Sequence, residues 1–268
     1  MGLEILKALP SGPSGSPPLL FLHGACTGAW VWSEHFLDHM AAQGHAAYAI
    51  SFRGHGRSGG RDKLWRYGLS DYVDDACLAI RALGRPPVLV GHSLGGMVAQ
   101  RCLGREALAG LVLMAAVPPE GLVATHMHLA LRDPALWLEI IRLTTTGLGA
   151  RGPISPGLRR ILFSDELPRA VADRYMSRMQ QESRRVLAEL QCPGLPPSAA
   201  EFGIPALVTG RTHDHLIPAA AMRRTAGFHG AEFHGLPGHA HALMLDAFWR
   251  DAAELLSGWL ERTYTKGP

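Results

Sequence analysis

Between residues 18 and 114, short apolar runs alternate with longer stretches in which apolar residues recur every three or four positions. Residues 19–22, 46–52, 88–90 and 111–114 are brief and end in Gly, Arg or Pro, the pattern of strands buried on both faces. Residues 31–43, 70–83 and 94–103 carry helical stripes; in the second, Ser70 supplies a cap ahead of Val73, Cys77, Ile80 and Leu83. Strands alternating with crossover helices make right-handed βαβ units and a mostly parallel sheet covered on both faces, an α/β fold. From 118 to about 203 the rhythm stops: 135–143 and 170–190 read as helices, 147–157 and 193–197 as hinges or turns. It resumes with a strand at 204–209, a helix near 219–226, a strand near 231–233 and a last helix from about 247. The expectation is a core of residues 1–117 and 204–268, with 118–203 inserted between the two halves of the sheet as a helical cap over its C-terminal edge.

Composition narrows the classes. The 268 residues are 47% hydrophobic and 18% charged, enough apolar side chain for one large packed domain and too little charge for a disordered chain. No apolar run approaches the roughly 20 residues that span a bilayer. The 26 Lys+Arg against 23 Asp+Glu leave a net +3, spread thinly, with Arg pairs such as Arg159–Arg160 but no concentrated basic face. Nucleic acid is therefore not an expected partner. The first 18 residues lack the basic and apolar regions of a secretory signal, and Cys26, Cys77, Cys102 and Cys192 are widely spaced. A cytoplasmic protein with reduced thiols is the expectation.

The strongest chemical signal is Gly91-His92-Ser93-Leu94-Gly95, a G-x-S-x-G placed directly after an apolar strand and before a helix. A sharp strand-to-helix turn lifts the Ser93 hydroxyl above the sheet edge, and glycines allow its two legs to approach. A hydroxyl at its ordinary pKa needs a base, and the base needs an orienting carboxylate. Asp214 lies in the loop after the strand 204–209, and His239 and His241 follow in the next loop, giving the chain order Ser, Asp, His. His241 is preferred to His239, because it immediately precedes the apolar run that opens the last helix and because the family resemblance given below implies it. Two backbone N–H groups are expected to form an oxyanion hole: Leu94, after the nucleophile, and Ala25, in the loop His23-Gly24-Ala25-Cys26. His23 reads as a brace for that loop, Cys26 as a small apolar filler.

Two other patterns carry less. Gly54-His55-Gly56-Arg57-Ser58-Gly59 matches G-x-G-x-x-G, but it does not open directly into a helix as a dinucleotide site requires, and reads as a tight crossing loop. The 14 histidines include the close pairs His126/His128, His213/His215 and His239/His241, none with zinc-site spacing. No metal or cofactor is expected.

Together, His23-Gly24-Ala25, Arg53-Gly54-His55-Gly56-Arg57-Ser58, Gly91-His92-Ser93-Leu94-Gly95-Gly96, Asp214 with Pro218, and His241 followed by Asp246 resemble the α/β-hydrolase family over most of the chain. The stretch from His23 to Trp30 is similar to the plant methylesterase and hydroxynitrile-lyase branch. Those lyases carry a threonine where this chain has Gly24 and a lysine where it has Ala242, so the resemblance implies ester hydrolysis rather than cyanohydrin cleavage. Dehalogenases and epoxide hydrolases carry aspartate at the position of Ser93 and are disfavoured too. The Arg-Gly-His-Gly segment and the cap resemble bacterial esterases and monoacylglycerol-lipase-like enzymes.

The expected reaction is hydrolysis of a small-to-medium apolar ester through an acyl-serine. Trp30, Met97, Trp137 and Ile141 are candidate walls of the acyl pocket, the last two because Leu136, Trp137, Ile140, Ile141 and Leu143 crowd one helical segment. The same triad serves thioesters, lactones and the carbon–carbon bond of β-diketones. A non-catalytic small-molecule receptor on the same fold is the rival from another class. The residues set no oligomeric state.

Overall fold

The computed structural model describes residues 2–146, 156–238 and 240–264. A seven-stranded sheet runs through it in the order β1-β3-β2-β4-β5-β6-β7, where β1 is Glu4–Ala8, β2 Leu19–Leu22, β3 Ala47–Ser51, β4 Val88–His92, β5 Gly110–Met114, β6 Ala206–Arg211 and β7 Glu232–Leu236. Every neighbouring pair is parallel except β1 with β3. The sheet order and helical flanks are those of an α/β-hydrolase fold. β1 was not anticipated: half exposed on the sheet edge, it lacks the continuous apolar run that betrays the central strands.

Alternation along the strands divides the core into two layers. Leu19, Phe21, Val88, Val90, Val112 and Met114 face the side covered by α1 (Trp30–Ser33), α2 (Phe36–Ala42) and the C-terminal α11 (Trp249–Tyr264). Leu20, Leu22, Leu89, Leu111 and Leu113 face α3 (Leu69–Ala82), α4 (Leu94–Cys102) and α10 (Ala219–His229). The expected single helix over 31–43 is two, divided at residues 34–35.

Between β5 and β6 come α5 (Val123–Arg132), α6 (Pro134–Thr146), α7 (Pro156–Leu162), α8 (Arg169–Ser177) and α9 (Arg184–Glu189). Two differences from expectation matter. α5 and α7 are additional, and the helix expected over 170–190 breaks at 178–183. There the Gln180 N–H leaves the helix to bond the Cys26 carbonyl at 2.8 Å, and Ser183 caps the restart by accepting from the Val186 N–H. The hinge expected over 147–157 falls mostly outside the described residues. Among the described residues, no helix is long and apolar enough to cross a membrane.

Candidate active site

Parallel strands deliver their loops to one edge of the sheet, and the loops after β2, β4, β6 and β7 meet there. Ser93 sits alone between β4 and α4 at φ 51° and ψ −117°, a strained turn for a residue with a side chain. The turn is this tight only because of its glycines: a Cβ on Gly91 would lie 2.4 Å from the Gly95 carbonyl oxygen, and one on Gly95 2.5 Å from that of His23. The Ser93 N–H donates to Met114 and its carbonyl accepts from Val117, so both ends of the strained peptide are pinned to β5 and the segment after it.

Asp214 and His241 are brought together. The His241 Nδ1–H donates to Asp214 Oδ2 at 2.8 Å, with both side chains buried. Asp214 Oδ1 accepts from the Leu216 and Ile217 N–H groups at 2.7 and 3.1 Å, which fixes the carboxylate plane. With Nδ1 engaged, the other imidazole nitrogen remains for chemistry. Ser93, His92 and His241 line one cavity. His239 lies outside the described residues.

The His241 loop is braced from three directions that the sequence did not disclose. The His92 Nε2–H donates to the His241 carbonyl at 3.0 Å. Burial and the neighbouring His241 hold the His92 pKa well below the usual imidazole range, so this ring stays neutral. The main chain of α7 receives the loop: the His241 N–H bonds Ile161 and the Ala242 N–H bonds Leu162, while Asp246 Oδ1 accepts from the N–H and hydroxyl of Ser164, both at 2.8 Å. Arg211, fully buried at the end of β6, ties the loop's two ends by donating to the Pro237 and Phe248 carbonyls, each at 2.7 Å. An arginine closing an apolar strand is the signal that could have pointed to it.

The loop after β2 is equally constrained. His23 Nδ1–H donates to the Gly24 carbonyl at 2.8 Å and Nε2 accepts from the Phe52 N–H at 3.1 Å, the neutral tautomer that burial enforces by lowering its pKa to about 3. Gly24 must be glycine here, since a Cβ would lie 2.6 Å from His92 Nδ1. Ala25 and Leu94 both border the cavity beside Ser93. Leu94, the first residue of α4, has no intrahelical acceptor for its N–H.

The cavity holds about 180 Å³. Trp30 forms part of its wall, its ring covered by the Arg178 guanidinium at 4.1 Å. Met97 is instead wholly buried in the core behind α4. Trp137 and Ile141 fall outside the wall, because α6 turns the face carrying Leu136 and Ile140 inward and Ile140 lines the cavity. Away from Ser93, His92 and His241, His126 from α5 and Gln191 add a polar pair to a mainly apolar lining; burial lowers the His126 pKa, so it too is neutral. Among the described residues, no cluster of His, Cys, Asp or Glu could hold a metal ion.

A family model described as the alpha/beta hydrolase family matches residues 19–255. An esterase from Oryza sativa subsp. japonica is 33% identical over 118 residues, 42% of this chain and 43% of that protein, so the match spans less than half the relative's length. Among solved structures, a carboxylesterase from the thaumarchaeon Nitrososphaera gargenis superposes with a TM-score of 0.72 at 17% identity, covering 99% of this chain and 96% of that one. A thermophilic esterase from Thermogutta terrifontis gives 0.73 at 18%, covering 98% and 94%. At these identities the structural likeness speaks for the fold.

Proposed function

The chain belongs to the alpha/beta hydrolase family, and from that premise we propose that it hydrolyses small apolar carboxylic esters through an acyl-enzyme formed on Ser93. The observation that carries this reading is the buried 2.8 Å contact of Asp214 with His241, which shares a cavity with Ser93. Ser93 Oγ attacks the ester carbonyl as His241 takes its proton. Asp214 holds the imidazole with its proton on Nδ1 and stabilises the imidazolium that forms. The oxyanion is bound by the N–H groups of Ala25 and Leu94, the latter at the positive end of α4. His241 then protonates the departing alcohol, and water, deprotonated by the same imidazole, releases the acid from Ser93.

In this proposal residues 118–203 act as a cap whose apolar inner side encloses the acyl group, which accords with Leu122, Ile140, Leu158 and Ile161 facing the cavity. Its volume of about 180 Å³ is on the scale of the ~150 Å³ void that admits benzene, which suits a short acyl chain. Across a chain-length series of p-nitrophenyl esters, kcat/KM is expected to peak at short chains and to fall by about tenfold or more for long ones. Equal rates for all lengths, or turnover confined to thioesters or lactones run beside them, would contradict the proposed substrate class.

A further inference from the structure

The glycine-rich segment Gly54-His55-Gly56, which fits no nucleotide site, has a partner in the fold. From the turn between α8 and α9, the Gln180 amide Nε2 donates to the Gly54 carbonyl at 2.8 Å, and its Oε1 accepts from the Gly56 N–H at 2.9 Å. Arg61 donates to the same oxygen at 2.9 Å. So anchored, the turn grips a single residue of the loop after β2. The Gln180 N–H donates to the Cys26 carbonyl at 2.8 Å, and the Cys26 N–H donates to Glu182 Oε2 at 3.1 Å. Cys26 is thus held at both backbone polar groups, with φ at 65°, a left-handed conformation that non-glycine residues adopt at a cost.

Glu182 is a buried carboxylate with both oxygens engaged. Its Oε1 accepts from the Tyr72 hydroxyl at 2.6 Å and the Ser183 N–H at 2.8 Å, and its Oε2 lies 3.1 Å from His55 Nε2. The contact with His55 is an ion pair off the line of an ideal hydrogen bond. His55 Nδ1 faces the Arg53 carbonyl at 3.2 Å, which can only accept, so that nitrogen carries a proton. Nε2 faces the Glu182 carboxylate, which favours a second proton there. Burial opposes both charges, yet Glu182 raises the His55 pKa, and His55, Tyr72 and Ser183 together bring Glu182 down to about 2. A bare carboxylate one residue from an oxyanion site would oppose the developing charge; His55, whose pKa Glu182 raises, sits 3.1 Å away where its proton offsets that charge.

We propose that Glu182, balanced by His55, is the positioning residue of the oxyanion hole: by engaging the Cys26 N–H it fixes the left-handed peptide and leaves the preceding Ala25 N–H to meet the reacting carbonyl oxygen. The proposal rests on the hydrolase reading of Ser93. It gives the Gly54–Gly56 segment a role, as the dock for the turn that sets the hole.

Glutamine has one acceptor oxygen where Glu182 uses two, so E182Q must leave either the Cys26 or the Ser183 N–H facing an amide NH2. The test measures p-nitrophenyl butyrate hydrolysis and inhibition by phenylboronic acid for the parent, E182Q, E182A and Q180A. Boronate adds to the serine as an anionic tetrahedral adduct, so its affinity should follow kcat, whereas KM follows ground-state binding. Expected is a fall in kcat of about 10–100-fold in the Glu182 variants and a smaller one in Q180A, matched by boronate affinity, with KM within twofold. A kcat within twofold of the parent, or a fall without matching loss of boronate affinity, overturns the proposal; a variant that does not fold leaves the decision to the others. A parent that turns over no ester and takes no phosphonate on Ser93 overturns the hydrolase reading instead, and this inference with it.

Discussion

The imidazole of His241 is oriented by contacts on two sides: Asp214 holds Nδ1, and His92 holds the main-chain carbonyl. His92 sits between the flanking glycine and the nucleophile, where sequence reading saw only the variable position of a pentapeptide. Its importance comes from the elbow, which aims a side chain adjacent to Ser93 at the loop 149 residues later. Replacing His92 with alanine removes the donor to the His241 carbonyl and opens space against Gly24. A loss of about tenfold in kcat with KM little changed is expected from steady-state kinetics, since slight misplacement of a base is costly. An unchanged kcat would show that His92 only fills space. Ser93, Asp214 and His241 could be chosen from the sequence as candidates because chemistry constrains residue type and chain order. His92, Arg211 and Glu182 were not, because their partners lie far away in sequence and nothing local marks them.

At the level of elements, the central strands declared themselves because parallel strands buried on both faces need unbroken apolar runs, as in residues 111–114. The region between β5 and β6 was less readable. Its helices are amphipathic on faces set by the cavity, so the inward choice of Ile140 over Ile141 depends on how α6 is rotated, which composition does not fix. The break at 178–183 has one local sign, the capping Ser183, but its cause is the distant pairing of Gln180 with Cys26. The coupling of this region to the His241 loop can be measured through Ser164 and Asp246, whose carboxylate receives two donors at 2.8 Å. D246A leaves the buried Ser164 N–H without its partner and should cost about 1–3 kcal/mol in urea unfolding; S164A should cost about 1 kcal/mol. In a double-mutant cycle the two should be non-additive. Additive costs would mean that the two groups do not support each other.

Across the whole molecule, stability should depend on pH through buried histidines. Burial lowers His23 to about 3 and His229 to about 4, and burial with His241 takes His92 well below its usual range. Below pH 6.5 the unfolded chain binds protons that these folded sites refuse, so stability falls as pH drops. His55 acts in the opposite sense: its raised pKa contributes stability that is complete below 6.5 and lost as pH rises through the folded value. Glu182, lowered to about 2, contributes above about 4.5 and loses its share only as pH falls from there toward 2. The lowered histidines, His126 among them, outnumber the raised His55, so the urea midpoint should fall between pH 7 and pH 5. A flat or rising midpoint over that interval would contradict the assigned protonation states. The central claim, that this architecture makes Ser93 a nucleophile, is tested most directly by treating the parent and S93A with a fluorophosphonate and mapping the adduct by peptide mass spectrometry. The account predicts one phosphonyl group per parent chain, on Ser93, and none on S93A; labelling elsewhere, or no labelling of a folded parent, would contradict it.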